Sequence, residues 1–432
     1  MGRRVRKNRI HQLKLNMDLN FKIKNESDKS FKLRETNLLN FKKNGFPNKK
    51  SEDWKFTDLE KVLNDNFKEL NNGQTERGEP KTQNLQFKHN AITLINGKLE
   101  RFNFEPENFQ DKNFLLIKEL NPDQNFNFAN EFKNDPMQNL NIALNEGGFS
   151  LNFSPNYKFK YPIVIYNYFS GNFKNKIINN SEVINISKNS EVTIIDYLID
   201  ESQGSFFKNT FRYLNIESES TLNYYFINKN ESKNFFYDFS KVSLSKNSCF
   251  EKYLFSSGIK FNKSDNNIKL DGENSSSKIY SGLFLGKNNH HEIKTNVEHL
   301  KPNCHSHQDI KNVLTTGSKG VFQGKIYVDS IAQKTNAYQL SKGLLLDENS
   351  EFSSKPELEI YADDVKCSHG STSGNIDRDA LFYLKSRGIK EKEAIKIIIK
   401  GFLESIFENI KNEDIKKILI NHINISLKYG YR

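Results

Sequence analysis

Four nine-residue segments of this chain share one alternation of apolar and polar positions. They are "INISKNSEV" from Ile184, "LNIESESTL" from Leu214, "VSLSKNSCF" from Val242 and "LLLDENSEF" from Leu344. Each reads apolar, any, apolar, three polar residues, serine, any, apolar. A weaker copy, "IKLDGENSS", starts at Ile268, so the neighbouring starts at 184, 214, 242 and 268 lie 30, 28 and 26 residues apart. Two alternating apolar positions, a polar corner and a second short strand describe a chain turning through one coil of a stack. A single coil exposes an edge and half a core, so it is stable only against its neighbours. The Asn-Gly or Asp-Gly turns that a hairpin meander needs are scarce. The pattern predicts a mainly β protein, with a stacked-coil solenoid or β-helix over residues 146–375. The irregular period leaves a β-sandwich as the structural alternative.

The flanks read differently. "SFKLRETNLLNFKKNG" sets Phe31, Leu38, Leu39 and Phe41 at near-helical spacing, with Gly45 and Pro47 as stop signals. In "SEDWKFTDLEKVLNDNF", Ser51 or Asp53 can cap a new start, and Trp54 is a packing anchor. Residues 17–145 are therefore a mixed helical region with one short strand candidate, "AITLING". After Gly374, "IDRDALFYLKSRG" has Asp377 as N-cap and Gly388 at the C′ position. The next segment places Ile395, Ile398, Ile399, Phe402, Leu403, Ile406 and Ile410 three and four residues apart, a broad apolar stripe. A third helix from about Glu413 to Leu427 carries Ile415, Ile418, Leu419 and Ile423. Residues 376–432 are too few to bury these faces as a separate core, so part of the stripe packs on the solenoid or on another protein. Ile398, Phe402 and Ile406 are the candidate docking face.

Composition narrows the class. The chain has 432 residues and a formal charge of +11, but its lysines are spread along the whole length without a basic, aromatic-interleaved patch. No nucleic-acid partner is expected. No apolar run approaches the roughly 20 residues that span a bilayer, which predicts a soluble, cytoplasmic protein with no membrane partner. Three scattered cysteines indicate free thiols in a reducing compartment. Residues 1–16, basic and acid-free, read as a disordered extension or as sequence upstream of a start at Met17. If they form a transit segment, the location becomes an organellar stroma or matrix.

The chemistry concentrates in two places. "HHEIKTNVEHLKPNCHSH" holds His290, His291, His299, Cys304, His305 and His307, but its spacing matches no closed zinc motif. Most of these histidines are expected on the surface or in loops. Cys249, among apolar neighbours in "SCFEKYLF", reads as a structural thiol. "KPELEIYADDVKCSHGSTSG" holds Cys367 and His369, i and i+2 in what reads as a polar exit from a strand, hence on one face. Gly370 would let the chain turn away there. "GLFLGKNN" at Gly282 has neither the spacing of a P-loop nor Ser or Thr after Lys287. Any ATP chemistry therefore belongs to another subunit.

The stretch from "KPELEIYADDVKCSHGST" through "DALFYLKSRGI" closely resembles the C-terminal signature of the SufB/SufD family of the SUF iron–sulfur cluster assembly complex. The resemblance extends to "GVFQGKIYVDSIAQKTNAYQLSKGLLL", "HLKPNCHSHQDIKNVL" and "FPNKKSEDWKFTDL". "CSHGST" favours the SufD branch over SufB, although Ser371 stands where alanine is usual and "PNCHSH" adds a cysteine and histidines. The resemblance implies a right-handed parallel β-helix between an N-terminal helical region and a C-terminal helical domain. It implies a non-catalytic subunit that pairs with SufB and docks the SufC ATPase on its C-terminal helices. The unpaired edges of the end coils make a homodimer the expected form of the isolated chain. A transient iron–sulfur cluster at the SufB interface, with none bound permanently, would take His369 as a ligand, with Cys367 in support. Two other classes stay open: a stand-alone metal-binding enzyme on a β-helix using Cys304, His305, His307 or His369, and a purely structural solenoid.

Overall fold

The computed structural model describes residues 16–19, 27–73, 78–81, 85–105, 115–120, 135–145, 147–158 and 160–430. Residues 1–15, most of the basic extension, lie outside these. The N-terminal region comprises β1 (Asn16–Asp18, containing Met17), α1 (Asp28–Asn44), a 3-10 turn (Glu52–Trp54), α2 (Leu59–Asn66) and β2 (Glu69–Asn71). It continues with β3 (Asn90–Ile95), β4 (Lys98–Asn103), β5 (Leu115–Glu119), α3 (Pro136–Leu144) and β6 (Gly148–Phe153). Side-chain caps start the helices. Ser27 accepts from Ser30 N at 3.2 Å, and Asp135 accepts from Met137 N at 2.8 Å with Pro136 at the first helical position. The cap of α2 is Asp58, accepting from Lys61 N at 2.9 Å. Ser51 and Asp53, expected to cap it, belong instead to the short turn before it.

The body is a parallel β-solenoid of about 8 turns. Two long strands, β7 (Ile163–Ile186) and β8 (Glu191–Ile216), each run through a whole coil. Gly204 bends β8 at φ +83°, where a Cβ would collide with the Phe173 carbonyl. Later coils use two strands each: β9 (Thr221–Asn228) with β10 (Ser232–Leu244), β11 (Cys249–Ser257) with β12 (Ile259–Leu270), and β13 (Ser276–Leu285) with β14 (His290–His299). Then come β15 (His305–Leu314) with β16 (Lys319–Val328), β17 (Thr335–Leu345) with β18 (Glu351–Ile360), and β19 (Val365–Gly374). One face stacks β8, β10, β12, β14, β16 and β18 in parallel; the other stacks β9, β11, β13, β15, β17 and β19.

The sequence repeat is this register. Ile184 pairs with Leu214, Leu214 with Val242 and Val242 with Ile268, all buried in the interior core. The polar corner that follows turns on one left-handed residue per coil: Asn189 (φ 59°), Glu219 (62°), Asn247 (54°), Asn274 (61°) and Asn303 (60°). Asparagine tolerates this conformation better than most residues, which explains its recurrence. The copy at Leu344 is displaced. Leu344 pairs with Val313 on the other face, so its segment turns the opposite corner, from β17 into β18. Its apolar and polar pattern is the same, but none of its corner residues is left-handed.

Helices cover both outer faces. Leu38, Phe41, Trp54, Leu59, Leu63 and Met137 pack on Phe207, Phe211, Phe235, Tyr237 and Phe261, outward residues of β8, β10 and β12. Trp54 lies 5.2 Å from Tyr237, centroid to centroid. Of the expected face of α1, Leu38 and Phe41 are buried, whereas Phe31 and Leu39 remain exposed. On the opposite side, α5 (Glu391–Glu404) and α6 (Glu413–Gly430) lie against the other sheet. Among the described residues, no helix is long and apolar enough to cross a membrane.

The early coils also bury charge. Arg212 bridges Glu182 at 2.7 Å and Asp196 at 3.0 Å, and the Tyr224 hydroxyl donates to Asp196 at 3.0 Å. Lys252 is buried in the same interior, donating to Asn266 Oδ1 at 2.6 Å. Burial, followed by the Arg212 charge, lowers its pKa to about 7. A base whose folded pKa is depressed carries its full penalty below that pKa and loses it as pH rises toward the unfolded value. Lys252→Met should therefore raise unfolding stability by about 2–4 kcal/mol at pH 6, with the gain shrinking toward pH 10. Denaturant titrations at both pH values check this. A gain independent of pH would show that the buried amine is not the cause.

Candidate functional site

Cys367 and His369 sit on β19, the last strand of the solenoid. The run "CSHGSTSG" is strand throughout, not a strand exit, and the chain does not turn at Gly370. Parallel pairing with β17 imposes this conformation on a sequence of low strand propensity: Cys367 lies opposite Ala337 and His369 opposite Gln339. Both side chains continue inward-facing columns. The column of His369 runs Tyr224, Lys252, Ile279, Gln308, Gln339, His369 from coil to coil. That of Cys367 runs Leu222, Phe250, Ser277, Ser306, Ala337, Cys367.

In earlier coils these inward positions are buried, because another coil lies on either side. At β19 no further strand of the chain follows among the described residues, so the interior opens to the surface. His369 is exposed, while Cys367 is half-buried beside Ala337 and Ala362. Burial pushes the Cys367 thiol above its ordinary pKa, opposed by a hydrogen bond to the backbone of Ala337. Near pH 7 the thiol thus stays protonated unless a metal or cation intervenes. Strands β18 and β19 each present a ten-residue edge with the interior exposed between them.

The histidine cluster does not converge. Its histidines are strand residues, and four of the five are deeply or partly buried rather than in surface loops. His291 Nε2 lies 2.8 Å from the Ile259 carbonyl, His299 Nε2 lies 2.9 Å from Ser306 Oγ, and His290 Nε2 lies 3.1 Å from Thr57 Oγ1. Burial lowers their pKa values to about 4, 3 and 4 respectively, so all are neutral imidazoles near pH 7. His307 stacks between Tyr280 and Tyr338 at 5.6 and 5.3 Å, and His305 is exposed. Cys304 occupies the corner position that serine fills in other coils. It follows left-handed Asn303 as Ser190 follows Asn189, donating to the Gly272 carbonyl at 3.3 Å beside Ser275 Oγ at 3.4 Å. It is a packed structural thiol. Among the described residues, no three His, Cys, Asp or Glu side chains are grouped so as to hold a metal ion.

The C-terminal helices revise the expected docking face. Ile399, Leu403, Ile406, Phe407 and Ile410 are buried against Tyr225, Tyr253, Phe255, Tyr280 and Phe284 of the solenoid. Ile406 is 1% exposed, and Phe402 packs on the same cluster with the Lys311 ammonium 5.4 Å above its ring. Ile406 is therefore an interior contact and Phe402 is half-buried against the same cluster; Ile398 is likewise half-exposed. The open apolar surface lies on α4 (Arg378–Ser386), which Asp377 caps and which has no buried residue. Phe382 is 73% exposed, Tyr383 57%, and Ile397 of α5 48%. In the sequence, "DALFYLKSRG" stands out for its caps and its family signature, and its apolar face is easily missed. The signal for that face is a pair of adjacent aromatics on a two-turn helix with too few apolar residues to bury them.

Among the described residues, these features define a parallel β-solenoid whose interior opens at β18 and β19 and whose helix α4 carries an exposed apolar face. A family model described as "SUF system FeS cluster assembly, SufBD core domain" matches residues 169–402, and one described as "SufBD protein N-terminal region" matches 13–97. The chain is 30% identical over 249 residues to the iron–sulfur cluster assembly protein SufD of Escherichia coli K12, covering 58% of this chain and 59% of that protein. It is 25% identical over 394 residues to the chloroplastic protein ABCI7 of Arabidopsis thaliana, covering 88% and 82%. It is 39% identical over 109 residues to the SufBD family protein slr0076 of Synechocystis, covering 25% and 24%. This chain belongs to the SufBD family.

Ile406→Asp should lower stability by about 3–5 kcal/mol, because the carboxylate would be buried unpaired against the solenoid. Phe382→Asp should change it by about 0.5 kcal/mol or less, as an exposed substitution. Thermal unfolding of the two variants checks the assignment. An Ile406→Asp protein as stable as the parent would place the stripe outside the fold.

Proposed function

We propose that this chain is a SufD-like, non-catalytic scaffold subunit in iron–sulfur cluster assembly. It pairs with a SufB solenoid through its open end and docks the SufC ATPase on its C-terminal helices. The observation that carries this reading is the open end, where an inward column terminates in the exposed imidazole of His369. Family membership and the SufD likeness support it, as does the absence of a P-loop in the sequence. The cluster is cargo, held transiently. His369 offers it an imidazole nitrogen, and Cys367 a thiol that must first lose its proton. This end supplies at most half a ligand set, so the remaining ligands come from the partner. That argues against a stand-alone metalloenzyme. The same open edges allow a homodimer when the chain is isolated.

Two experiments test the roles. His369→Ala should leave folding and complex formation intact and reduce cluster yield several-fold in anaerobic reconstitution with iron, a sulfide donor, SufB and SufC, read by visible absorbance. Cys367→Ser should show a smaller deficit. Parental yield from His369→Ala would remove this histidine from the mechanism and favour a purely structural solenoid.

For docking, Phe382, Tyr383 and Ile397 replace Phe402 and Ile406 as the contact face, with Ile398 at its margin. Phe382→Asp should weaken SufC binding at least tenfold by calorimetry without loss of the solenoid fold. Unchanged affinity would place the ATPase elsewhere.

A further inference from the structure

We infer that the cavity between the short turn at Glu52–Trp54, the start of α3 and the outward face of β12 to β18 is a binding site for a small organic cation rich in N–H donors, a guanidinium or an alkylammonium. This stands on the lining of the cavity and not on the cluster role of His369.

The cavity has a volume of about 240 Å³. That lies just below the range of pockets for drug-sized ligands, so its occupant is small. Outward residues of three strands line it, Asp265 of β12, Lys294 of β14 and Gln323 of β16, together with Asp53 of the turn and Asp135, the cap of α3.

What marks this lining is a surplus of acceptors. Asp265 and Gln323 are 4% and 6% exposed, and each keeps one oxygen uncommitted. Asp265 accepts from Lys294 through Oδ2 at 3.2 Å, which leaves Oδ1. Gln323 donates through Nε2 to Glu292 at 2.6 Å, which leaves Oε1. Asn267 Oδ1 and Asn296 Oδ1, in the same lining, are buried without a partner. Asp135 commits Oδ1 to the amides of Met137 and Gln138 at 2.8 and 3.2 Å, and its other oxygen has no partner. A buried acceptor left without a donor carries a desolvation penalty that a bound donor would relieve.

The lysines of the lining do not supply that donor. Lys294 already pairs with Asp53 at 2.8 Å as well as with Asp265, and Lys325 pairs with Glu359 at 2.8 Å. Charge points the same way. Glu52, Asp53, Asp135, Asp265 and Glu357 face only Lys294 and Lys325 in the lining. With Lys355, which pairs with both Glu52 and Glu357, counted in, the acids still exceed the bases by two. Burial raises the pKa of Asp135 to about 6, so at pH 7.5 it too is ionised. Among the described residues these carboxylates are not grouped so as to ligate a metal ion directly. A cation with several N–H groups suits them better, because its donors reach oxygens spread over β12, β14 and β16. Phe239, also in the lining, offers an apolar surface to its carbon skeleton.

Calorimetric titration of the full chain at pH 7.5 and low salt tests this. The probes are agmatine, 1,4-diaminobutane and tetramethylammonium, the last a cation with no N–H donor. At least one of the first two should bind one to one with a dissociation constant below about 1 mM. The tighter of them tells guanidinium from ammonium recognition, and tetramethylammonium should bind at least tenfold more weakly. Asp265→Asn should weaken the better probe at least fivefold. Asp135→Asn, which keeps a side chain able to cap α3, should do the same. Glu408→Gln, on the opposite outer face, should leave affinity unchanged. Equal affinity for tetramethylammonium would reduce the effect to unspecific charge attraction and overturn the proposal. So would the absence of saturable binding, which would leave the acceptors to water, or parental affinity in both asparagine variants.

Discussion

Everything in this molecule rests on one constraint: each coil of a parallel solenoid satisfies its backbone only by bonding to the next. The strands form ladders across coils, as from Ile184 through Leu214 and Val242 to Ile268, and no coil has a complete set of partners alone. The corner residues serve the same end. The Asn189 amide donates to the Ser218 carbonyl, that of Asn247 to Glu273 and that of Asn303 to Gln333, each at 2.9 Å, so the turns are stitched as tightly as the strands. A structure built this way must stop somewhere. At β18 and β19 it stops with two edges and an uncovered interior, and that is where the functional reading places its partner.

The second consequence is that both outer faces must be covered. Outward residues are aromatic and aliphatic on each sheet, and the chain supplies its own lids from its two helical regions. The C-terminal stripe is consumed in this way: Leu403, Ile406 and Ile410 seal the sheet that carries Tyr225, Tyr253 and Tyr280. The helix α4 stays outside this packing, with no buried residue, and projects Phe382 and Tyr383. The surface available to a partner is thus a remainder after internal packing. Reading the most hydrophobic helix as the docking element mistakes core for interface.

The solenoid was legible because its register is written locally, with alternating apolar positions and a polar corner that in most coils holds a left-handed asparagine and a serine. The Leu344 copy shows the limit of that legibility, since the same apolar and polar pattern occurs at both corners and sequence does not say which corner a copy turns. Cys304 was obscure for a related reason. It replaces a serine in a corner ladder, which spacing alone cannot separate from a metal ligand. The buried histidines of β14, His291 and His299, sit on an inward face with Ile293, Thr295 and Val297, while Glu292, Lys294 and Glu298 face outward; the alternation was present in "HHEIKTNVEH", but a polar residue at both ends of the inward face hid it. The adjacency of Cys367 and His369 was visible, whereas their exposure was not, because it depends on which coil comes last.

The central claim is that the open end is an interface between solenoids. Light scattering of the isolated chain across the micromolar range, repeated after mixing with a SufB solenoid, tests it most directly. The expected result is a species of twice the chain mass alone, converting to a one-to-one heterodimer on mixing. A stable monomer that remains monomeric with SufB present would contradict the account.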